Sequence, residues 1–296
     1  MGLGFAPAFF LLSTKIVRDI DGLYESQDKA RCISFGRAKM TISNKQKKYL
    51  EKIGYHEIDK LNGWFEPFLM SLGCESVESI DYSDFEIADH QLNLNEDLLE
   101  QTDSRLKPET YDLVLDYGTS EHVFNPAMSL FNGTQLLKIG GLLNLQLPCV
   151  GWVDHGFFQF SPTFFLALDR PELELERLYF YVYDQKSSKI QMWDGMGKEF
   201  RNHVHGAFDG SFAANCLEFL DKPVSVWAVY RKKGVINKSN FLAETMQEVY
   251  KNKWNDKESL SKDSFKVFIY TLPNFLRKLF FKVYLNSISF DLRKKF

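Results

Sequence analysis

The apolar run YDLVLDY (111–117) is followed, after a short polar loop, by a segment with helical spacing and then by a second apolar run, LLNLQLP (142–148). Between the runs, AMSLFNGTQLLKIGG puts Met128, Leu130, Phe131, Leu136 and Leu137 on one apolar face, and Gly140–Gly141 offers a helix stop. Two strands joined through a helix lie parallel, because a parallel pair needs a crossover of a dozen residues or more. This unit commits the chain to an α/β architecture.

The alternation extends upstream. RCISF (31–35) ends at Gly36, VESID (77–81) ends on a carboxylate, and ADHQLNL (88–94) is a weaker strand candidate. Downstream, SPTFFLALD (161–169) predicts a helix with Ser161 as N-cap and Pro162 as its first residue. ERLYFYVYD (176–184) and VSVWAVYRK (224–232) read as antiparallel strands closing one edge, separated by a Gly- and His-containing insertion with no helix pattern. The expectation is a doubly wound, mostly parallel sheet with an antiparallel edge. It is organised as an N-terminal helical segment (1–29), one domain (30–232), and a connector with a helical C-terminal tail (233–296).

Composition narrows the function classes. A chain of 296 residues with 45% hydrophobic content suits an enzyme-sized folded unit. A net charge of -3 supplies no basic field of the kind that binds nucleic acid in general. Cys32, Cys74, Cys149 and Cys216 lie far apart without a CxxC pair, which suggests neither a zinc cluster nor a disulfide framework and fits a reducing, cytoplasmic setting. The opening MGLGFAPAFFLLSTK is too short an apolar stretch to span a bilayer and has no basic n-region, so it reads as a packed first helix.

The tail differs from the rest. Residues 264–296 carry Lys266, Arg277, Lys278, Lys282, Arg293, Lys294 and Lys295 against Asp291 alone, among many apolar residues. Pro273 can open a helix in which Leu276, Leu279, Phe280 and Val283 share a face. Two readings stand: a peripheral contact with the inner face of a membrane, or docking on the domain or on a second subunit in a homo-oligomer. The polar stretch 234–262 is then a connector.

The order GTSEHVFNP, LLKIGGLL, QLP and two late strands resembles class I S-adenosylmethionine-dependent methyltransferases of the small-molecule type, over roughly residues 25 to 232. GTSEHVFNP followed by DHGFFQFSPTFF is similar to a bacterial subgroup linked to surface-glycan or secondary-metabolite pathways. The resemblance implies a Rossmann-like, seven-stranded sheet with its last strand antiparallel, S-adenosylmethionine as cofactor and a small-molecule or glycan acceptor. The chain departs from the family at the glycine loop, where SFGRAKM offers Gly36 alone. By resemblance, Phe35 and Gly36 line the amino-acid end of the cofactor.

Asp81, at the end of the second strand, has the chemistry to accept hydrogen bonds from both ribose hydroxyls; its alternative role is a helix N-cap, with Ser83, Asp84 and Glu86 following. Gln91 and Asn93 are candidates for adenine. Asp116 and Gly118 end the fourth strand, where a carboxylate near a sulfonium is favourable in a dry pocket and a glycine permits close approach. Glu121 and His122 are two neighbouring donors without a third, a poor ligand set, so no metal is expected. Near a helix start, Glu121 complements the helix dipole. His155 is the preferred acid/base residue, since a neutral imidazole accepts a hydroxyl proton near neutral pH; His122 is the second catalytic candidate. Trp152 and Phe158 are candidate pocket walls. His203 and His205 form an HxH pair, with His203 a candidate substrate-loop residue. The expected activity is O-methyl transfer. Its alternatives are a nucleotide-cofactor oxidoreductase, disfavoured by the missing G-x-G-x-x-G, or a catalytically silent scaffold at a membrane.

Overall fold

The computed structural model describes residues 2, 3, 6, 8, 30–52, 54–102, 104–184, 186–197, 217, 220–245 and 272–291. In chain order the elements are β1 (Gly2–Leu3), β2 (Arg31–Phe35), β3 (Lys39–Thr41), α1 (Asn44–Lys52), β4 (Asn62–Trp64), α2 (Glu66–Ser71), β5 (Ser76–Asp81) and β6 (His90–Gln91). They continue with β7 (Tyr111–Tyr117), α3 (Pro126–Leu136), β8 (Leu137–Val150), α4 (Pro162–Ala167), β9 (Leu173–Asp184), β10 (Lys189–Asp194), β11 (Val224–Lys232), α5 (Lys238–Glu244), α6 (Asn274–Ile288) and β12 (Phe290–Asp291).

One sheet has nine strands in the order β12-β10-β9-β11-β8-β7-β2-β5-β6. From β6 to β8 all neighbours are parallel. β11 runs antiparallel to both β8 and β9. The chain therefore starts in the middle, at β2, builds β5 and β6 to one side, and returns to add β7 and β8 on the other. That reversal opens a crevice at the carboxyl ends of β2, β5 and β7, where ligands of open α/β sheets bind.

Alternation along the strands produces a core on each face. Ile33, Phe35, Val114, Leu143 and Leu145 belong to one cluster, with Leu130, Phe131 and Leu136 of α3. Cys32, Leu113, Leu115 and Trp227 belong to the other, with Leu50 of α1 and Phe68 and Leu69 of α2. Each such fully buried side chain contributes roughly 1.5–3 kcal/mol. The indole N–H of Trp227 donates to Asn144 Oδ1 at 2.8 Å, so its polar edge is satisfied inside the core. Cys32, Cys74 and Cys149 are buried free thiols, and Cys216 lies outside the described residues.

Several expectations are corrected. Among the described residues the sheet has nine strands, not seven, because SSKIQMWDG contains β10, which pairs with β9 as a hairpin, and Phe290–Asp291 adds β12 beside it. The turn forms because Asp184 Oδ1 accepts the N–H groups of Lys186 and Ser187, and the strand is held by buried Ile190, Met192 and Trp193. Gly140–Gly141 do not stop a helix. α3 ends at Leu136, and both glycines lie inside the long strand β8. A Cβ on Gly141 would come within 3.1 Å of the carbonyls of Lys138 and Asp112, at the irregularity in the β7–β8 ladder. Of the candidate ADHQLNL only His90–Gln91 is strand. Ser161 does occupy the α4 N-cap, but its hydroxyl meets Thr163 Oγ1 and makes no capping bond.

Gly2–Leu3 is strand, pairing in parallel with β3, and only Ala6 and Ala8, both buried, are helical in the described part of the N-terminal segment. Within the expected connector, Lys238–Glu244 folds as α5. Asn237 Oδ1 accepts the Asn240 N–H, and buried Phe241 packs on Phe131 with 5.8 Å between ring centroids. α6 begins directly after Pro273, as predicted. It docks through Phe281 and Leu285, and the Trp193 indole donates to the Leu285 carbonyl at 2.8 Å. The face of Leu276, Leu279 and Val283 is turned to solvent, with Phe275. Among the described residues no helix is long and apolar enough to cross a membrane.

Glu78 joins four strands. It accepts from Arg31 Nη2 on β2 (3.0 Å) and from the Tyr111 hydroxyl on β7 (2.9 Å), and lies 2.8 Å from His90 Nε2 on β6. Burial pushes its pKa up, but the hydrogen bonds from His90, Tyr111 and Arg31 outweigh this and hold it below the usual 4.5. A carboxylate with a depressed folded pKa stabilises fully above its unfolded value and loses that contribution as pH falls through the folded one. Urea midpoints followed from neutral pH to below 4.5 should therefore fall more steeply for the wild type than for Glu78→Gln. Parallel curves would show that this carboxylate does not set the acid limb.

Candidate active site

The register Phe35↔Ile80 and Phe35↔Asp116 aligns the carboxyl ends of β2, β5 and β7. The cleft above them is lined by Phe35, Gly36, Arg37, Asp81, Tyr117 and Thr119, among others. Gly36 has φ +71°, in the left-handed region, and its N–H donates to the Ile80 carbonyl at 2.7 Å. Thr119 Oγ1 donates to the Phe35 carbonyl at 2.7 Å, which ties the loop after β7 to the end of β2. A Cβ on Gly36 would lie 2.7 Å from that same Oγ1. The reduced glycine loop thus still has its glycine where the backbone requires one.

Asp81 lines the cleft as expected. Its Oδ1 accepts the Ser83 N–H at 3.1 Å, a local turn, and Oδ2 has no protein hydrogen bond among the described residues. One oxygen shapes the turn and the other is available to a ligand. Arg37 is a cleft residue that sequence reasoning missed. Its Nε donates to Glu66 Oε1 (2.6 Å), its guanidinium lies over Trp64 (4.2 Å), and Nη1 donates to the carbonyls of Glu86 and Ile87. It therefore holds the segment that follows Asp81, where Tyr82, Phe85 and Ile87 are exposed. The free volume of the cleft is about 30 Å³, and this segment forms its exposed wall.

Four expected cofactor residues, Gln91, Asn93, Asp116 and Gly118, are not among those lining the cleft. Gln91 lines a separate cavity of about 570 Å³ with Glu96 and Gln101. Asn93 spends its side chain on its own turn, accepting from the Asn95 N–H and donating to Glu96. Asp116 is fully buried and is not among the cleft-lining residues. Its Oδ1 accepts the N–H groups of Thr119 (3.0 Å) and Ser120 (3.3 Å), Oδ2 has no partner among the described residues, and burial raises its pKa. Gly118, φ +91°, lets the chain reverse into that cap.

The turn leads into a short 3-10 helix, Ser120–His122. Glu121 is 1% exposed, and its Oε2 has no hydrogen-bond partner among the described residues. Burial first, and the neighbouring Asp116 second, push its pKa up to about 8. Its Oε1 lies 3.6 Å from His155 Nε2 and 3.8 Å from His122 Nε2, and the two imidazoles meet edge to face at 5.2 Å. The pKa of His122 is lowered, by burial and then by His155.

His155 arrives from a loop 33 positions along the sequence, which the backbone clamps to Glu121. The N–H groups of Phe157 (2.7 Å) and Phe158 (3.2 Å) both donate to the Glu121 carbonyl. Gly156 permits this approach, since a Cβ there would lie 2.8 Å from that carbonyl oxygen. Trp152 packs against His155 at 5.1 Å and anchors its indole on the Val224 carbonyl, while Phe158 packs on Phe124 and Phe160. The structure thus brings His122, His155 and Trp152 together, with Glu121 at their centre and not merely at a helix start. His203 and His205 lie outside the described residues.

No protein-family model matches the chain. No curated protein is similar to it. Among solved structures it resembles the trans-methyltransferase CalH in complex with SAH at 13% identity, TM-score 0.38, over 74% of this chain and 55% of that one. It resembles the CMeT domain of the citrinin polyketide synthase at 11% identity, TM-score 0.37, over 76% and 53%. It resembles the YcgJ protein of Bacillus subtilis at 10% identity, TM-score 0.37, over 74% and 99%. The chain spans little more than half the length of the first two. Likeness this slight does not bear on function; the residues of the site do.

Proposed function

We propose that the chain is a methyltransferase that uses S-adenosylmethionine and methylates a hydroxyl of a small molecule, such as a glycan precursor. The observation that carries this reading is Asp81 at the end of β5, facing the same cleft as Gly36 directly after β2. A fold hosts many activities, so the reading depends on this pairing of a carboxylate with a bare backbone and not on the sheet alone. Asp81 Oδ2 would accept from the ribose hydroxyls, and Gly36 would let the backbone approach the amino-acid end.

When bound, the cofactor supplies a methyl group whose bond to sulfur breaks as the bond to the acceptor oxygen forms, leaving a neutral thioether. The chain's own tasks are alignment, exclusion of water and removal of one proton. Trp152 and Phe158 would wall the acceptor, and His155, 3.6 Å from the Glu121 carboxyl, would take the hydroxyl proton.

Calorimetric titration with S-adenosylhomocysteine needs no knowledge of the acceptor. Micromolar binding is expected, and Asp81→Ala should weaken it at least tenfold, which corresponds to about 1.4 kcal/mol. Equal affinity in the two proteins would remove the ribose role. Binding of NADH in its place would favour an oxidoreductase, and binding of neither would favour a scaffold.

Contact of residues 264–296 with an anionic membrane belongs to the same proposal, supported by exposed Phe275, Leu276, Leu279 and Val283 beside exposed Lys278 on α6. The protein should co-sediment with phosphatidylglycerol vesicles and not with phosphatidylcholine vesicles. Absence from both pellets would assign the tail to docking alone.

A further inference from the structure

We infer that Glu121, His122 and His155 form a binding site for a divalent first-row transition ion, of the zinc class. Their donor atoms all lie within 4.8 Å of one another. In a tetrahedral site with metal–nitrogen distances near 2.0–2.1 Å, donors sit roughly 3.3 Å apart. The observed Glu121 Oε1 distances of 3.6 and 3.8 Å need only a small contraction. Two imidazoles and one carboxylate are a recurrent zinc ligand set, and one that leaves a coordination position open. Here the side chains of His122 and His155 are 40% and 43% exposed, so that position faces solvent.

Two further observations point to a cation. Glu121 is almost wholly buried, yet its Oε2 has no hydrogen-bond partner and no lysine or arginine pairs with it among the described residues. Buried side-chain oxygens without a partner are rare, and a cation at this one would restore the charged form that burial disfavours. The site is also built and held: Gly156 and the Phe157 and Phe158 amides fix the His155 loop onto the Glu121 backbone. A surface coincidence of acidic and imidazole groups has no such clamp. Sequence inspection finds two donors and no third, because His155 lies in the loop after a different strand.

In an ion-loaded protein Glu121, His122 and His155 would be ligands, so His155 would serve as base only in the metal-free chain; the ion would supply Lewis acidity to a hydroxyl at its open position. Ion binding itself requires neither cofactor nor acceptor, so its test stands apart from the methyltransferase reading.

Tag-free protein, stripped with chelator and dialysed, would be titrated with zinc by calorimetry and with cobalt by visible absorption. One equivalent of each is expected, with cobalt bands of a low-coordinate nitrogen and oxygen site. His155→Ala and Glu121→Gln should each lower affinity at least tenfold. Both variants are chosen to spare the fold, one on an exposed loop and one isosteric; His122→Ala stands in if Glu121→Gln does not fold. Absence of saturable binding, unchanged affinity in these variants, or loss confined to His203→Ala would each overturn the site.

Discussion

Gly36→Val should abolish detectable binding of S-adenosylhomocysteine, with an affinity loss of more than about 100-fold, or 2.7 kcal/mol. Three effects act together. A β-branched residue at φ +71° is strained by on the order of 1–3 kcal/mol. Its Cβ would stand 2.7 Å from Thr119 Oγ1, so the threonine must swing away and give up its bond to the Phe35 carbonyl, worth about 0.5–1.5 kcal/mol. The valine methyls would then fill a cleft with little free room. Calorimetry gives the affinity, and a urea midpoint gives the accompanying loss of stability. Gly36→Ala, which adds the clash without the branched side chain, serves as a second variant if valine prevents folding. It should bind measurably but more weakly than wild type. Unchanged affinity in either protein would show that the ligand does not use this cleft.

The central architecture was legible because it rests on periodicity. RCISF, YDLVLDY and VSVWAVYRK are strands over the ranges read from the sequence, since each alternates or runs apolar between polar breaks. β10 was not legible, because its apolar residues Ile190, Met192 and Trp193 are fixed by pairing with β9 and by the packing of α6, both remote in sequence. Gly140–Gly141 misled for a related reason: a glycine pair signals a helix end only when the chain is free to turn, and here Leu137 already pairs with Tyr111.

The site divides in the same way. The placement of Asp81 and Gly36 at one cleft was legible because both were read at strand ends, where open α/β sheets form their crevice. Asp116 looked similar but serves the N–H groups of its own turn, a local competition that residue type alone does not reveal. The partnership of Glu121 with His155 depends on Gly156, whose missing Cβ lets two loops touch. Sequence spacing carries no signal for that contact.

In protein stripped of metal by chelator, His155→Ala should lower methyl transfer by about 10²- to 10⁴-fold, the usual contribution of a positioned acid or base, while S-adenosylhomocysteine affinity stays within about twofold. His155 does not line the cleft of Asp81 and Gly36, so the loss should reside in kcat with the cofactor already bound. Glu121→Gln should slow the same step above about pH 8, where Glu121 is ionised and can stabilise the imidazolium. Since the two groups act as one unit, the double variant should be little worse than His155→Ala alone. An acceptor found by screening, followed with labelled cofactor, makes each comparison direct. Full turnover in His155→Ala would sink the assignment of the proton step to this loop. If the single losses multiplied in the double variant, the two groups would act separately. Their 3.6 Å approach would then be a packing contact, with the base to be sought at His122, 5.2 Å from His155 across the same cluster.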